Sequence, residues 1–371
     1  MLFSNVKFFG DDFKFHIGDV LVENGEIISA TQTDGDGKGG YLLPGLIDIH
    51  FHGNSGADFS DGDYEGLKKI AKYHAEHGVT SFSPASMTLP EAVLEKAYKT
   101  AVQLRDEAPE GLSKIVGITM EGPFFNEKKK GAQAAEHLRL PDKEMFARLN
   151  KAADGMIRIA CIAPELEGAQ DFIKEVSKVA VCSEAHTDAN YDEAAAGFEA
   201  GARHVTHLYN AMPALGHRTP GVIGAASERD DVTAELICDG VHIHRSAVRA
   251  AFKMFGEKRI CLISDSLSAC GMADGMYQLG GQDVIVKGNR ATLKDGTLAG
   301  SATPLFDCMK TAISFGIPME DAVRCASYNP ATVMGIADKV GTVAAGKCAD
   351  LILTDDDLNI CEVYINGEKV R

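Results

Sequence analysis

The 371-residue sequence predicts an α/β protein: a (β/α)₈ TIM-type barrel with a small β-sandwich-like domain formed by both chain ends. Three observations support this prediction. Eight short apolar runs recur through the middle of the chain, helical segments separate most of them, and β-rich segments flank this middle part. Strand–helix alternation repeated eight times is the sequence form of such a barrel. The predicted domains are 45–340 for the barrel and 1–44 plus 341–371 for the small domain.

The apolar runs are short enough for the buried strands of a parallel sheet. They are Gly45–His52, Val79–Ala85, Ile115–Glu121, Met156–Ile162, Ala180–His186, His204–His207, Thr233–Asp239 and Cys261–Asp265. Helical spacing predicts helices at Tyr64–His77, Glu91–Arg105, Lys143–Lys151, Phe172–Lys178 and Asp192–Ala200, with Gly78, Gly111 and Gly201 at helix C-termini. We expect an inserted hairpin at Tyr277–Arg290 and closing helices up to about Met334.

The two chain ends share a pattern of short strands and Asn-Gly turns. Asn24-Gly25 and Asn366-Gly367 each lie between apolar runs, and this pair supplies the positive φ angles that a tight hairpin turn requires. We therefore expect the two termini to meet and build the small β domain together.

The charge and cysteine content of the chain limit the kinds of molecule it is expected to bind and the compartment it is expected to occupy. The formal charge of −16 argues against binding to nucleic acid or to an anionic membrane, since both need a positive surface. The nine cysteines include no C-x-x-C pair, and several lie in apolar runs, so reduced thiols are expected. Asp11 and Asp12 interrupt the N-terminus before a signal-length apolar segment, and no apolar run approaches a membrane span. The expected location is the cytoplasm.

Polar residues end five of the eight apolar runs. They are His50, His52, Glu121, His186, His207 and Asp265. In a barrel of parallel strands these ends meet at one face, so four imidazoles and two carboxylates are expected to converge there. Imidazole nitrogen and carboxylate oxygen are the ligands of a divalent transition metal. Residues i and i+2 of a strand point to one side, so His50 and His52 can reach the same ion.

The other histidines are expected to have different roles. His242 follows the seventh run and is expected to contact substrate, whereas His244 is expected to be structural or on the surface. His74 and His77 are expected on an outer helix, away from a metal. For His16, His137, His204 and His217 the default is an ordinary structural histidine.

Asp265 is the candidate general acid and base. A carboxylate within hydrogen-bonding distance of an activated water can take its proton and pass it to a leaving group. The alternative is a structural aspartate that caps a loop, and the position of Asp265 at the end of the last strand disfavours it.

Several motifs together resemble one known family. Residues 44–53 (PGLIDIHFHG) and 341–351 (GTVAAGKCADL) are similar to the opening and closing segments of the amidohydrolase superfamily. More specific are residues 120–124 (MEGPF), 185–189 (AHTDA), 206–212 (THLYNAM), 221–224 (GVIG), 238–242 (CDGVH), 264–266 (SDS) and 295–301 (DGTLAGS). From end to end the chain resembles the N-acetylglucosamine-6-phosphate deacetylase family.

The resemblance implies a metal site. Glu121, His186 and His207 match the core ligands of the family, and His50 and His52 match a second-metal pair that only some members have. One or two divalent ions are therefore expected, with Glu121 as the bridge between two. The donor set suits zinc, iron, manganese or cobalt. The fourth run ends without a lysine, which disfavours relatives that use a carboxylated lysine as the bridge.

The resemblance also implies substrate contacts. They are Ala132, Asn210, Ala211, Arg218, His242, Leu298, Ala299 and Gly300, with Arg218 binding the sugar phosphate and in some members coming from the neighbouring subunit of a homodimer. Gln133 stands where some members have a histidine near the acetyl carbonyl, and it is a further candidate contact. By its position alone, Arg218 could also be a solvated loop cation.

The implied reaction is metal-dependent removal of the acetyl group from N-acetyl-D-glucosamine 6-phosphate, giving D-glucosamine 6-phosphate and acetate. Two alternatives stay open. The substrate could be the galacto epimer, N-acetylgalactosamine 6-phosphate, or the chain could be a non-catalytic amidohydrolase-like scaffold. A scaffold would be expected to lack ligands, and here all six positions are filled.

Overall fold

The computed structural model describes all 371 residues. Strands and helices alternate through the middle of the chain, and strands predominate at both ends. The strands are β1 (Leu2–Phe9), β2 (Phe15–Glu23), β3 (Glu26–Gln32), β4 (Tyr41–Pro44), β5 (Leu46–Asp48), β6 (Gly53–Asn54), β7 (Ala57–Asp58), β8 (Val79–Phe82), β9 (Ala85–Ser86), β10 (Lys114–Ile115), β11 (Ile118–Met120), β12 (Ile157–Ile162), β13 (Val181–Glu184), β14 (His204–Val205), β15 (Thr233–Ile237), β16 (Ile260–Ile263), β17 (Gly275–Leu279), β18 (Gln282–Lys287), β19 (Arg290–Leu293), β20 (Leu351–Thr354), β21 (Ile360–Ile365) and β22 (Glu368–Lys369). The helices are α1 (Tyr64–Glu76), α2 (Glu91–Glu107), α3 (Lys143–Ala152), α4 (Ala169–Val176), α5 (Tyr191–Ala200), α6 (Gly221–Ser227), α7 (Arg245–Phe255), α8 (Leu305–Ser314), α9 (Met319–Ala326) and α10 (Tyr328–Val333).

The central strands are all parallel and form a curled sheet of the TIM-barrel type. Their pairing order is β10-β8-β5 in one group and β16-β15-β14-β13-β12-β11-β9 in the other. Alternate residues of β5, β12, β15 and β16 pack into one internal apolar cluster, because successive side chains of a strand point to opposite faces. The opposite faces of the strands pack against the helices in the largest apolar cluster of the protein.

Strand β5, at the end of the first group, and strand β16, at the end of the second, approach one another. The backbone N–H of Asp265, just after β16, donates to the carbonyl of His50, just after β5, at 2.9 Å. The hydroxyl of Ser264 donates to the carboxylate of Asp48 at 2.5 Å. These contacts place the residues that follow β5 and β16 side by side.

Strands from both chain ends share one sheet. Its order is β22-β21-β20-β4-β1-β2-β3, so β4 lies between the N-terminal β1 and the C-terminal β20. Both Asn-Gly pairs form turns with positive φ, 51° and 80° at Asn24 and Gly25 and 49° and 76° at Asn366 and Gly367. The inserted segment is a three-stranded antiparallel sheet, β17-β18-β19, one strand more than the predicted hairpin.

Side chains cap the start of four of the ten helices, α1, α3, α5 and α7. Asp63 accepts hydrogen bonds from two backbone N–H groups at the start of α1, and Asn190 forms a capping box with Glu193 at the start of α5. The prediction that Gly111 ends a helix is wrong. Helix α2 ends at Glu107, and its C-cap residue Ala108 takes the left-handed conformation itself at a φ of 38°.

All nine cysteines are free thiols, as expected, and seven of them are buried. Within the structure, no helix has both the length and the apolar character required to cross a membrane.

Candidate active site and metal centre

The predicted ligands lie together just beyond the carboxyl ends of the parallel strands. His50 and His52 follow β5, Glu121 follows β11, His186 and His207 follow β13 and β14, and Asp265 follows β16. All six side chains are buried. The structure therefore brings together every residue that the sequence placed at a strand end.

Three of these residues have a backbone conformation that L-amino acids rarely adopt. The φ angles of His186, His207 and Asp265 are 46°, 30° and 47°. The left-handed region costs free energy for any residue with a Cβ atom, and such outliers concentrate at functional sites. Each of these residues turns sharply out of its strand, which allows its side chain to point into the common centre.

Glu121, His186 and His207 form one group of potential ligands. Glu121 Oε1 lies 3.0 Å from His186 Nε2 and 3.2 Å from His207 Nε2, and the two Nε2 atoms are 3.1 Å apart. A tetrahedral ion with bonds of about 2.0–2.2 Å holds its ligand atoms about 3.3–3.6 Å apart. The group needs only a small expansion to accept a divalent ion.

His50, His52 and Asp265 form a second group of potential ligands. Asp265 Oδ1 lies 3.8 Å from His50 Nε2 and 3.4 Å from His52 Nε2. Glu121 adjoins this group too, with Oε1 3.5 Å from His50 Nε2 and Oε2 3.4 Å from His52 Nε2. Glu121 therefore lies between the two groups, at the position expected of a bridge.

The electrostatics of the centre fit a cation. Burial acts to lower the pKa of His50, but Glu235 and Glu121 outweigh it and raise this pKa well above its ordinary value. Burial acts to raise the pKa of Glu121, yet the charge on His50 and hydrogen bonds from the other histidines hold it well below its ordinary value. His50 Nε2 is buried and has no hydrogen-bond partner. A bound divalent ion would balance the excess carboxylate charge and give the unpartnered nitrogen a partner.

Neighbouring groups fix the orientation of the ligands. His52 Nδ1 donates to the carbonyl of Ala85 at 3.2 Å, and His186 Nδ1 donates to the carbonyl of Lys129 at 2.9 Å. In both rings this leaves Nε2 free to face the centre.

Gln133, a candidate substrate contact, is buried beside Glu121. Its amide nitrogen donates to Glu121 Oε2 at 2.8 Å, and its oxygen accepts from the backbone N–H of Thr88 at 2.7 Å. These bonds orient the carboxylate that lies between the two ligand groups. Contact between Gln133 and substrate stays a prediction.

A cavity of about 360 Å³ opens over the centre. Most of the predicted substrate contacts line it, namely Ala132, Gln133, Asn210, Ala211, His242, Leu298 and Gly300. Two predicted contacts do not. Ala299 is buried in an apolar cluster, and Arg218 lies on an exposed loop outside the cavity of its own chain.

The ring of His242 is held by Asp239. Its Nδ1 donates to Asp239 Oδ2 at 2.7 Å, while Oδ1 accepts from the backbone N–H groups of Val241 and His242, both at 2.9 Å. This leaves Nε2 of His242 as the nitrogen available to a ligand. His244 caps the start of α7 through Ser246, in agreement with a structural role.

Sequence reasoning missed two features of the site. Lys128 and Lys129 are the only lysine or arginine residues that line the cavity, and both approach Asp188, at 3.2 Å and 3.8 Å. Glu235 and His204 are hydrogen-bonded beneath the ligands. A glutamate within the apolar run Thr233–Asp239 was the available signal for this pair, because a buried carboxylate needs partners.

Comparison with known proteins agrees with this geometry. The model of the amidohydrolase family matches residues 41–370. The chain belongs to the amidohydrolase family. This family and the two groups of histidines and carboxylates fit a divalent metal site.

Three relatives are similar over most of their length. N-acetylglucosamine-6-phosphate deacetylase from Bacillus subtilis (strain 168) is 38% identical over 328 residues, 87% of this chain and 82% of that protein. N-acetylgalactosamine-6-phosphate deacetylase from Escherichia coli O157:H7 is 31% identical, over 96% of this chain and 94% of that protein. A mutant N-acetyl-D-glucosamine-6-phosphate deacetylase from Mycobacterium smegmatis, solved in complex with N-acetyl-D-glucosamine-6-phosphate, is 30% identical with a TM-score of 0.90, over 96% of each chain.

Proposed function

We propose that the protein hydrolyses the N-acetyl group of N-acetyl-D-glucosamine 6-phosphate, releasing D-glucosamine 6-phosphate and acetate. One observation carries the proposal. Five potential metal ligands and the Asp265 carboxylate converge at the base of a single cavity large enough for a sugar phosphate. The relatives whose names state this reaction are similar to the chain over most of its length.

In this proposal Glu121, His186 and His207 would hold one divalent ion, and His50 and His52, together with Glu121, would hold a second. Zinc, iron, manganese and cobalt all suit these donors. A bound ion would lower the pKa of a water molecule and polarise the amide carbonyl of the substrate. The ligands lie at the ends of strands, which fix their positions. An ion held by them would therefore be in place to polarise the carbonyl before the substrate binds.

Asp265 moves the proton. Burial acts to raise its pKa, but a hydrogen bond from His52 and the charge on His50 outweigh burial and lower it, so the group is a carboxylate at neutral pH. It can accept a proton from the attacking water as the new C–O bond forms. It then donates this proton to the nitrogen as the C–N bond breaks, so that the amine leaves uncharged.

The substrate phosphate is proposed to lie near Asn210 and Ala211, with cations at the cavity mouth. Lys128 and Lys129 are the cations of this chain that line the cavity. Arg218 is exposed on a loop outside this cavity, and we propose that it serves the neighbouring site in a homodimer. His242, Ala132, Gln133 and the 298–300 loop are proposed to contact the sugar and its acetyl group.

The proposed architecture is a closed (β/α)₈ barrel over 45–340 with a separate small domain from 1–44 and 341–371. The hydrogen bond between Asp265 and His50, and the shared internal cluster of β5 and β16, support closure. The shared terminal sheet has its own apolar cluster, which supports a separate domain. The nine free thiols support a cytoplasmic location.

The testing experiment measures acetate release from N-acetylglucosamine 6-phosphate, from its unphosphorylated sugar and from N-acetylgalactosamine 6-phosphate. Each is assayed with metal-loaded protein and with chelated protein. We expect fast, chelator-sensitive turnover of the gluco phosphate and little turnover of the other two. No acetate from any substrate, with metal verified in the protein, would refute the proposal.

The galacto epimer is the alternative substrate. The relative named N-acetylgalactosamine-6-phosphate deacetylase is 31% identical, against 38% for the N-acetylglucosamine-6-phosphate deacetylase from Bacillus subtilis, so the comparisons do not favour it. Equal or faster turnover of the galacto phosphate would move the assignment to that reaction. A scaffold without activity is disfavoured because every ligand position is filled.

A further inference from the structure

Glu235 is a charged residue in the middle of an otherwise apolar strand. It is the third residue of β15, between Ala234 and Leu236 in the sequence, and its side chain is fully buried. A buried carboxylate is stable only if hydrogen-bond donors replace the lost water. The identity of its donors therefore shows what the residue does.

Every hydrogen-bond donor to the carboxylate of Glu235 belongs to a histidine. Oε2 accepts from His50 Nδ1 at 2.9 Å and from the backbone N–H of His207 at 3.0 Å. Oε1 accepts from His204 Nε2 at 3.2 Å. One carboxylate thus contacts a member of each of the two ligand groups, His50 of one and His207 of the other.

The bond to His50 fixes which ring nitrogen can bind a cation. Because Nδ1 carries the hydrogen that Glu235 accepts, the neutral ring, which is the form that binds a metal, has its lone pair on Nε2. Nε2 lies 3.5 Å from Glu121 Oε1 and has no hydrogen-bond partner. His52 and His186 are oriented by neutral backbone carbonyls, whereas His50 is oriented by a carboxylate, which also makes the ring a stronger donor to a metal.

The hydrogen bond from the backbone N–H of His207 to Glu235 stabilises a left-handed backbone conformation that is otherwise unfavourable. The φ of His207 is 30°, and its N–H would be buried without a partner if Glu235 were absent. The carboxylate accepts this N–H and so stabilises the turn that directs the His207 ring at Glu121.

We infer that Glu235 is a positioning residue that makes the His50 side of the metal centre able to hold a second divalent cation. The inference rests on the proposed function in one respect, that the centre binds divalent ions. The contrasting explanation is a carboxylate that stabilises the fold without affecting the number of ions bound.

The test counts ions in four proteins: wild type, Glu235→Met, Glu235→Gln and the control Glu184→Gln. Methionine matches the length of glutamate but accepts no strong hydrogen bond, whereas glutamine keeps an acceptor for His50 and removes the charge. Glu184 is a matched control, since it is a fully buried carboxyl group on the nearby β13 whose oxygens have no hydrogen-bond partner. Chelated protein is titrated with cobalt(II), ions per chain are counted by atomic emission, and the visible absorption of cobalt reports the ligand environment. Circular dichroism of the metal-free proteins checks folding.

We expect two ions in wild type and in Glu184→Gln, and one ion in Glu235→Met. Glu235→Gln should bind the second ion about 10- to 100-fold more weakly, the usual effect of removing a residue that orients a metal ligand. If Glu235→Met fails to fold, the affinity of Glu235→Gln decides. One ion in wild type, two ions at unchanged affinity in either Glu235 variant, or an equal loss in Glu184→Gln would each overturn the inference. Acetate release is no part of this readout, so failure of the deacetylase assay would leave the result intact.

Discussion

His74 offers a quantitative test of how burial in the helix layer couples folding to pH. It lies on α1, 3% exposed, with its ring packed against Phe51 and Phe82 at centroid distances of 4.4 Å and 5.4 Å. Its Nε2 has no hydrogen-bond partner. Burial, with a smaller contribution from the charge on His77, lowers the pKa of His74 from 6.5 to about 3.

The sign and size of the effect follow from linkage between protonation and folding. The pKa of His74 is lower in the folded state, so the stability that neutral His74 allows is present above pH 6.5 and is lost as the pH falls toward 3. The value pH 5 lies one and a half units below 6.5, the pKa of His74 in the unfolded chain. At this pH the ring is protonated in the unfolded chain but stays neutral in the folded protein. Each unit corresponds to 1.36 kcal/mol, so the loss at pH 5 is about 2 kcal/mol.

The perturbation is His74→Leu, which replaces the ring with an apolar side chain that suits a helix. Urea unfolding of both proteins, followed by circular dichroism in the presence of chelator, gives the free energy of unfolding at pH 7.5 and pH 5. The variant should lose about 2 kcal/mol less than wild type over this interval. The difference in packing is the same at both pH values and cancels in this comparison. Equal losses in the two proteins would refute the reasoning, because they would mean that His74 is protonated in the folded state or is not buried.

Three further predictions concern the active centre. Asp265→Asn should retain bound metal, measured by atomic emission, while kcat for acetate release falls by about 10²- to 10⁴-fold, the usual contribution of a general acid–base group; a variant with near-wild-type kcat would remove Asp265 from the mechanism. Chelation should abolish turnover. Zinc(II) at about 1,000 times its dissociation constant should raise the free energy of unfolding by about 4 kcal/mol relative to the metal-free protein. An unchanged free energy of unfolding would show that the centre binds no zinc. Lys129→Met should raise KM for the phosphorylated sugar about five- to tenfold, equivalent to roughly 1.0–1.4 kcal/mol of binding, and leave KM for the unphosphorylated sugar unchanged; an equal rise for both sugars would mean that Lys129 does not contact the phosphate.

The sequence alone predicted the parallel strands and the residues that end them. All eight apolar runs overlap strands of the central sheet, and the five segments with helical spacing overlap α1 to α5, with bounds that differ by up to three residues. Buried parallel strands need uninterrupted apolar side chains, so a polar residue at the end of a run marks the edge of the sheet. His50, Glu121 and Asp265 were recognisable for this reason, and they lie together in the structure.

Only the tertiary structure decided which groups lie within hydrogen-bonding distance across the sheet. Glu235 contacts His50 although 185 residues separate them, and Gln133 contacts Glu121 through a loop whose path no periodic pattern predicts. The sequence left two positions open for Arg218, in the phosphate site or on a solvated loop, and the structure places it on an exposed loop outside the cavity of its own chain. Spacing along one strand determines which face a side chain occupies, but not its level relative to neighbouring strands. That level depends on the register between strands, which is set by the packing of the whole sheet against its helices.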